Sequence, residues 1–210
     1  MRHLILPILL FGFAGSTQAH EIWIERDGAG PARIYLGEPA GPVPSQGDPE
    51  FHRLKSPKLV GDAAPLVRNA NHLSAAVAPL GDVRLVDDTV FEPWTGQDGK
   101  LEGAIFYARA GRTETIARLD FEIVPTSVEG DRFQVVYLGK PLPDAKVTIV
   151  SPDRWSKVFS ANGAGELTLP DMGAGRYLLT VNHMVDGPRS LGGKTVAKVS
   201  LISTLTVVEP

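Results

Sequence analysis

Short apolar runs rich in β-branched and aromatic residues recur along most of the chain, separated by glycine, proline, aspartate or asparagine. Such runs are typical of β-strands bounded by turns. Apolar and polar positions alternate in Arg176–Val181. Strands are predicted at Ala32–Leu36, Val83–Val86, Ala104–Ala108, Ile116–Ile123, Phe133–Leu138, Lys146–Val150, Glu166–Leu169, Tyr177–Val181 and Val196–Val208. No stretch combines a helical period with capping signals at both ends, so the pattern predicts an all-β fold of the sandwich type.

The N-terminus has the three-part pattern of a secretory signal peptide over residues 1–19. Arg2 and His3 form a short positive segment, Leu4–Phe13 is an apolar run, and small residues lead up to Ala19. The apolar run is about ten residues long, too short to span a bilayer as a helix. The pattern predicts cleavage after Ala19 and a periplasmic or secreted protein that begins at His20. A retained membrane anchor is the alternative.

A polar, turn-rich stretch at Pro125–Gly130 divides the mature chain. We expect an N-terminal β-rich domain over residues 20–124 and a C-terminal β-sandwich over residues 125–210. The second part contains the motifs Gly139-Lys140-Pro141-Leu142, Asn162–Gly165 and Gly175–Leu179. In these motifs it resembles the transthyretin-like, carboxypeptidase-regulatory-like β-sandwich. We therefore expect two β-sandwich-like modules, the second transthyretin-like or immunoglobulin-like, a fold that by itself implies no particular function.

Composition limits the partners and the chemistry. The 210-residue chain carries 21 lysines and arginines against 24 aspartates and glutamates, a formal net charge of -3, which favours neither a nucleic-acid nor an anionic-membrane partner. The chain contains no cysteine. Thiolate metal sites, disulfide bonds and cysteine nucleophiles are therefore excluded, and imidazole, carboxylate and amine groups remain as metal ligands.

Cleavage after Ala19 would expose a histidine with two nitrogen ligands. The free α-amine and a ring nitrogen of His20 together chelate a divalent metal, and these nitrogens suit copper, nickel, cobalt and zinc rather than calcium or magnesium. The α-amino group loses its proton near neutral pH, which eases coordination. Glu21 is close enough in sequence to serve as a carboxylate ligand or as a partner of the ligand. The alternatives are that cleavage merely leaves a histidine here and that Glu21 is a solvated strand end.

Three further histidines are candidate ligands. If Tyr177–Val181 turns its alternate apolar residues inward, His183 continues that face to the rim of the sandwich. His52 follows the Pro/Gly-rich run Glu38–Pro49, from which it would fold over a site, and His72 lies in a turn-like stretch. The alternatives are a partly buried structural histidine at position 183 and a solvated loop residue at position 72.

The opening and closing motifs together resemble one known family. His20-Glu21-Ile22-Trp23-Ile24-Glu25 follows the predicted signal peptide, and Tyr177–His183 closes the motif pattern of the second half. This layout is similar to the DUF4198 family of periplasmic proteins, which are associated with nickel or cobalt uptake systems. The resemblance implies His20 and His183 as the best metal-site candidates and does not single out His52 or His72.

The sequence therefore predicts a non-enzymatic periplasmic protein that binds nickel, cobalt or copper and captures or delivers the metal, with a membrane metal transporter as a further partner. No catalytic residue is assigned, because the chain contains no G-x-S-x-G elbow, P-loop, H-E-x-x-H or dinucleotide fingerprint. One alternative is a copper enzyme with a histidine brace, formed by the N-terminal amine and ring and a second histidine. The other is a structural or adhesive β-sandwich that binds no metal.

Overall fold

The computed structural model describes residues 20–61, 65–171 and 173–210, so the predicted signal peptide over residues 1–19 lies outside the described residues. The described chain forms β-strands and a short 3-10 turn at Phe51–Arg53. The strands are β1 (Glu21–Glu25), β2 (Ala32–Gly37), β3 (Lys58–Leu59), β4 (Val67–Arg68), β5 (Leu73–Ala75), β6 (Val83–Asp87), β7 (Trp94–Thr95), β8 (Leu101–Ala110), β9 (Phe121–Pro125), β10 (Arg132–Tyr137), β11 (Lys140–Pro141), β12 (Lys146–Val150), β13 (Ser156–Ser160), β14 (Glu166–Thr168), β15 (Gly175–Leu191) and β16 (Lys194–Glu209). The all-β prediction is confirmed, and none of the described residues belongs to a helix long and apolar enough to cross a membrane.

A large central sheet has the strand order β13-β12-β15-β16-β8-β6-β3, with β7 also paired to β8. β15 and β16 form a long antiparallel hairpin that turns at Gly192 and Gly193. The φ angles of these glycines, 55° and 74°, are both positive, as a two-residue type I′ turn requires. β16 then pairs in parallel with β8, beginning where Lys198 lies opposite Glu102.

The central sheet joins the two domains that the sequence predicted. β6 and β8 belong to residues 20–124, whereas β12, β15 and β16 belong to residues 125–210, and the parallel β8–β16 pairing places all of them in one sheet. The predicted boundary coincides with the end of β9, which pairs with β10 of the second part. The two predicted parts therefore share one sheet. A turn-rich stretch marks the end of a strand, and it does not show whether the next strand starts a new domain.

A smaller sheet covers each face of the central sheet. The first has the order β1-β2-β5-β4, and the second has the order β11-β10-β14 with β9 paired to β10. Successive side chains of β15 point to opposite faces of the central sheet. Tyr177 and Leu179 pack in one core together with Phe133 of β10, whereas Leu178 and Thr180 face β1. The described chain is therefore built from three β-layers around two main apolar cores.

Both cores fix the positions of strands near the candidate site. Phe121 and Phe133 are fully buried in the core under β9 and β10. Ile22 of β1 and Ile34 of β2 are fully buried in the core on the other face. Burial of each such side chain stabilises the fold by about 1.5–3 kcal/mol. Because β1 contributes to a core, packing fixes the path of the chain immediately after His20.

A buried ionic cluster replaces part of a predicted strand. The sequence predicted a strand over Ile116–Ile123, but sheet pairing begins only at Phe121. Glu122 Oε1 accepts hydrogen bonds from Arg84 Nε at 2.6 Å and from Arg109 Nη1 at 2.9 Å, and its Oε2 accepts two backbone N–H groups of the preceding loop. These bonds hold the loop against the central sheet, so the segment before β9 does not extend as a strand.

Candidate functional site

The first strand lies across β15 and is fixed to it near both ends. At its start, the Thr180 hydroxyl donates to Glu21 Oε2 at 2.6 Å. At its end, Arg176 Nη1 donates to Glu25 Oε2 at 2.7 Å. Between these carboxyls, Trp23 is 4% exposed and packs in the same cluster as a leucine of β15. The contacts hold β1 in place, and the residue immediately before it, His20, lies against the loop that follows β2.

His20 bonds to an aspartate of that loop. His20 Nε2 lies 3.0 Å from Asp48 Oδ1, which also accepts the backbone N–H of Glu50 at 2.7 Å. Because a carboxylate only accepts hydrogen bonds, Nε2 carries the hydrogen, and Nδ1 keeps a free lone pair in the neutral ring. Gly37 makes room for this contact, since a Cβ there would lie 3.2 Å from Asp48 Oδ2.

An open space beside this pair, which we call the His20 cavity, has a volume of about 480 Å³. His20 lines it together with three acidic residues, Glu38, Asp48 and Glu50, of which Glu50 also pairs with Arg53. Carboxylates around an imidazole attract cations. Within residues 20–61, 65–171 and 173–210, no group of three or more histidine, cysteine, aspartate or glutamate side chains is arranged to hold a metal ion. The described side chains at the His20 cavity are thus one imidazole and three carboxylates beside an open space.

Glu21 is engaged by β15 rather than by His20. Burial raises the pKa of the Glu21 carboxyl from 4.5 to about 7, and the hydrogen bond from Thr180 opposes that rise. The proton is therefore held more tightly on this carboxyl than on an exposed glutamate. Glu21 is an internal polar group of the β1–β15 contact, and it would have to leave Thr180 to act as the predicted metal ligand.

His183 packs among aromatic residues at the rim of the other core. Its ring centroid lies 5.1 Å from that of Tyr137 and 5.9 Å from that of Phe121. Burial lowers the pKa of the imidazole. The ring continues the inward face of Tyr177–Val181, as the alternation in the sequence predicted.

The central sheet separates His183 from His20. The register between β15 and β16 is regular from Gly175 to Asp186, so His183 and Thr180, three residues apart, point to opposite faces. Thr180 is on the face that contacts Glu21, next to His20. The structure therefore corrects the prediction of one metal site shared by His20 and His183, because strand alternation directs the His183 ring away from β1.

The other two histidines have their own surroundings. His52 is exposed, and its Nδ1 lies 2.8 Å from the carbonyl oxygen of Pro49. The His72 ring is partly buried against Tyr35, with centroids 5.3 Å apart, and burial lowers its pKa. His72 thus lies in a loop and is only partly exposed to solvent, because Tyr35 covers one side of the ring. None of these contacts joins His52 or His72 to His20.

Asp48 is the site residue that sequence reasoning missed. It is 28 residues from His20, and no periodic pattern connects a strand end with a loop. The available signal was the Pro/Gly-rich run Glu38–Pro49 itself, because long loops inside a strand-rich segment often carry binding residues. Asp48 is one of the two acidic residues in that run.

Comparison of the chain with protein-family models, with curated proteins and with solved structures gave no match. The features of the chain that bear on its function are therefore its sequence motifs and the geometry around His20. That geometry offers one imidazole of defined tautomer and several carboxylates beside an open space.

Proposed function

We propose that the mature protein binds nickel, cobalt or copper through the α-amine and Nδ1 of His20. Cleavage after Ala19 frees the amine, and the two nitrogens then close a chelate ring on the metal. The observation that supports this proposal is the hydrogen bond between His20 Nε2 and Asp48 Oδ1. It favours the tautomer in which Nδ1 has the free lone pair. A carboxylate bonded to the second ring nitrogen is also the usual partner of a metal-binding imidazole.

Capture and delivery of the metal fit this site better than permanent retention. Two nitrogen ligands leave further coordination positions for water, for Glu38 or Glu50, or for a ligand from a partner. An open coordination sphere lets a second protein take over the metal by ligand exchange. The resemblance of His20–Glu25 to the opening motif of the DUF4198 family supports a role in the periplasm, with a membrane metal transporter as the recipient.

The copper-enzyme alternative requires a second imidazole at the metal. His183 faces the opposite side of the central sheet, and His52 and His72 contact other residues. The described geometry therefore favours a site with the two nitrogens of His20 over a histidine brace.

Titration calorimetry with Ni²⁺, Co²⁺ and Cu²⁺ tests the proposal. The mature protein that begins at His20 is compared with the same protein acetylated on its α-amine, because acetylation converts the amine into an amide and adds no new amine. We expect the affinity to fall by about 100-fold, which corresponds to about 3 kcal/mol of lost ligand bonding. Equal affinities for the two forms would contradict the proposal.

Two variants separate the role of Asp48 from a general effect of mutation. Asp48→Asn keeps the size of the side chain but removes its charge, and the metal affinity should fall by about 10–100-fold. His52→Ala, in the adjacent 3-10 turn, should leave the affinity unchanged. If none of the tested metals raises the melting temperature of the mature protein, the result would favour the structural or adhesive alternative.

A further inference from the structure

We propose that a second cavity binds a small organic carboxylate with an apolar body. This Arg154 cavity has a volume of about 450 Å³ and lies between β1, β2, the loop after β2 and the turn after β12. It shares Trp23, Gly41 and Val43 with the His20 cavity, but none of its lining residues is a histidine. The proposal does not depend on metal binding.

Apolar side chains form the floor of the Arg154 cavity. Trp23, Tyr35, Val150 and Leu178 pack as one small buried cluster, and all of them line the cavity. The rings of Trp23 and Tyr35 stack with centroids 5.2 Å apart and an angle of 17° between their planes. Ligand pockets in proteins have volumes of about 300–1,000 Å³ and are mostly apolar, with a few polar groups that orient the ligand. This floor therefore suits a ligand with an apolar body.

The charged groups at the cavity leave one arginine in excess. Arg176 donates to Glu25 at 2.7 Å and pairs with Asp27, and Arg33 donates to Asp27 at 2.8 Å. These two guanidinium groups and two carboxylates neutralise one another. Arg154 also lines the cavity, and it forms no ion pair with any carboxylate in the part of the chain that the structure describes. The ligand that this imbalance selects is an anion, and a guanidinium pairs best with a planar carboxylate.

The backbone at Arg154 is strained. Its φ angle of 67° lies in the left-handed region, which glycine and asparagine adopt more easily than arginine. The turn is closed by hydrogen bonds from Arg154 N to Ser151 O and from Ser151 N to Trp155 O, both 2.8 Å long. Strained residues persist where the surrounding structure holds them, and they concentrate at ligand sites. A guanidinium kept at a position that suits glycine is consistent with a binding role for this side chain.

A second guanidinium at the cavity has an unused donor. Arg176 Nε is buried and has no hydrogen-bond partner among the described residues, although both terminal nitrogens of Arg176 are paired. Buried N–H groups are nearly always bonded in folded proteins. Arg176 thus adds positive charge to the cavity wall, and its Nε remains without a partner among the described residues.

Nuclear magnetic resonance titration with benzoate and with its neutral analogue benzamide tests the proposal. The Trp23 indole N–H is the reporter, because Trp23 lines the cavity, and that of Trp94, which does not line it, is the reference. We expect benzoate to shift the Trp23 resonance with a Kd on the order of 1 mM or tighter. Benzamide should bind at least about tenfold more weakly, because it cannot form the charged pair with a guanidinium.

Arg154→Gly should weaken benzoate binding by at least about tenfold while the protein stays folded, since glycine relieves the backbone strain. The matched control is Asp144→Gly, which removes a charged residue of φ 56° outside the cavity and should leave benzoate binding unchanged. Three results would overturn the proposal: no response to benzoate, equal responses to benzoate and benzamide, or an equal response to inorganic phosphate. The titrations are run with EDTA and repeated on the form acetylated on its α-amine, so their outcome is independent of metal binding.

Discussion

Thr180 on β15 donates a hydrogen bond to Glu21 on β1 across 2.6 Å, although the two residues are 159 positions apart in the chain. The bond satisfies a carboxyl that is largely buried between the two strands. It also fixes the residue that follows His20. The position of the candidate metal site therefore depends on the C-terminal half, even though His20 and Asp48 both come from the beginning of the described chain.

Thr180→Val should destabilise the protein by about 1–2 kcal/mol, because the variant keeps the shape of the side chain but leaves the buried Glu21 carboxyl without its donor. Urea unfolding monitored by circular dichroism measures the change. Thr168→Val, at an exposed position on β14, is the matched control and should leave the unfolding midpoint almost unchanged. Equal effects of the two substitutions would show that the hydrogen bond is not responsible.

Because of Glu21, the free energy of unfolding should decrease as the pH rises. Its pKa of about 7 in the folded protein exceeds the usual value of 4.5, so the folded state binds the proton more tightly than the unfolded state. The contribution is complete below about pH 4.5 and is lost as the pH rises through 7, a change of up to about 3 kcal/mol. Urea unfolding between about pH 5 and pH 8, in EDTA, should show this slope in the wild type and a flatter one in Glu21→Gln. Parallel curves for the two proteins would refute the assignment.

His183→Phe should leave metal affinity within about twofold of the wild type, because the ring lies on the far side of the central sheet and a phenyl group preserves its packing on Tyr137. His20→Ala should abolish the binding. Calorimetric titration of both variants with Ni²⁺ and Cu²⁺ makes the comparison. A loss of tenfold or more in His183→Phe would mean that this ring does reach the metal.

Glu122→Gln should cost about 1–3 kcal/mol, because it removes the buried charge that accepts hydrogen bonds from Arg84 and Arg109, while Glu114 and Asp82 still pair with these two guanidinium groups. The denaturation midpoint in urea measures the loss. Asp98→Asn, which breaks an exposed pair with Lys198, should hardly move the midpoint. A comparable loss of stability in Glu122→Gln and Asp98→Asn would show that the burial of the Glu122 ion pairs is not responsible.

The strands with strong local patterns were predictable from the sequence, and their lengths and partners were not. The alternation in Arg176–Val181 correctly indicates a strand, but β15 continues to Leu191 through residues that read as a turn, including Gly187 and Pro188. The extension is possible because β16 pairs with it, with a register shift between Asp186 and Arg189 that accommodates the proline. The residues of β15 do not by themselves indicate which other strand will pair with them.

The candidate site shows the same limit. His20 was recognisable because the predicted cleavage site precedes it, which is a local feature of the sequence. Its contact with Asp48 depends on how the loop after β2 folds back, and no residue spacing encodes that path. The separation of His183 from His20 follows from strand alternation, but it becomes evident only once β1 is known to lie on the opposite face from the His183 ring.

The last strand of the described chain, β16, occupies an interior position in the central sheet, between β15 and β8. Until it is added, β8 has no neighbour on one edge, and the layer that carries β1 lacks part of its support. A nascent chain must therefore keep one edge of β8 unpaired, and dependent on protection from aggregation, until β16 has emerged. Residues 20–124 expressed alone should accordingly fail to show a cooperative thermal transition, whereas the entire mature chain should melt as one unit.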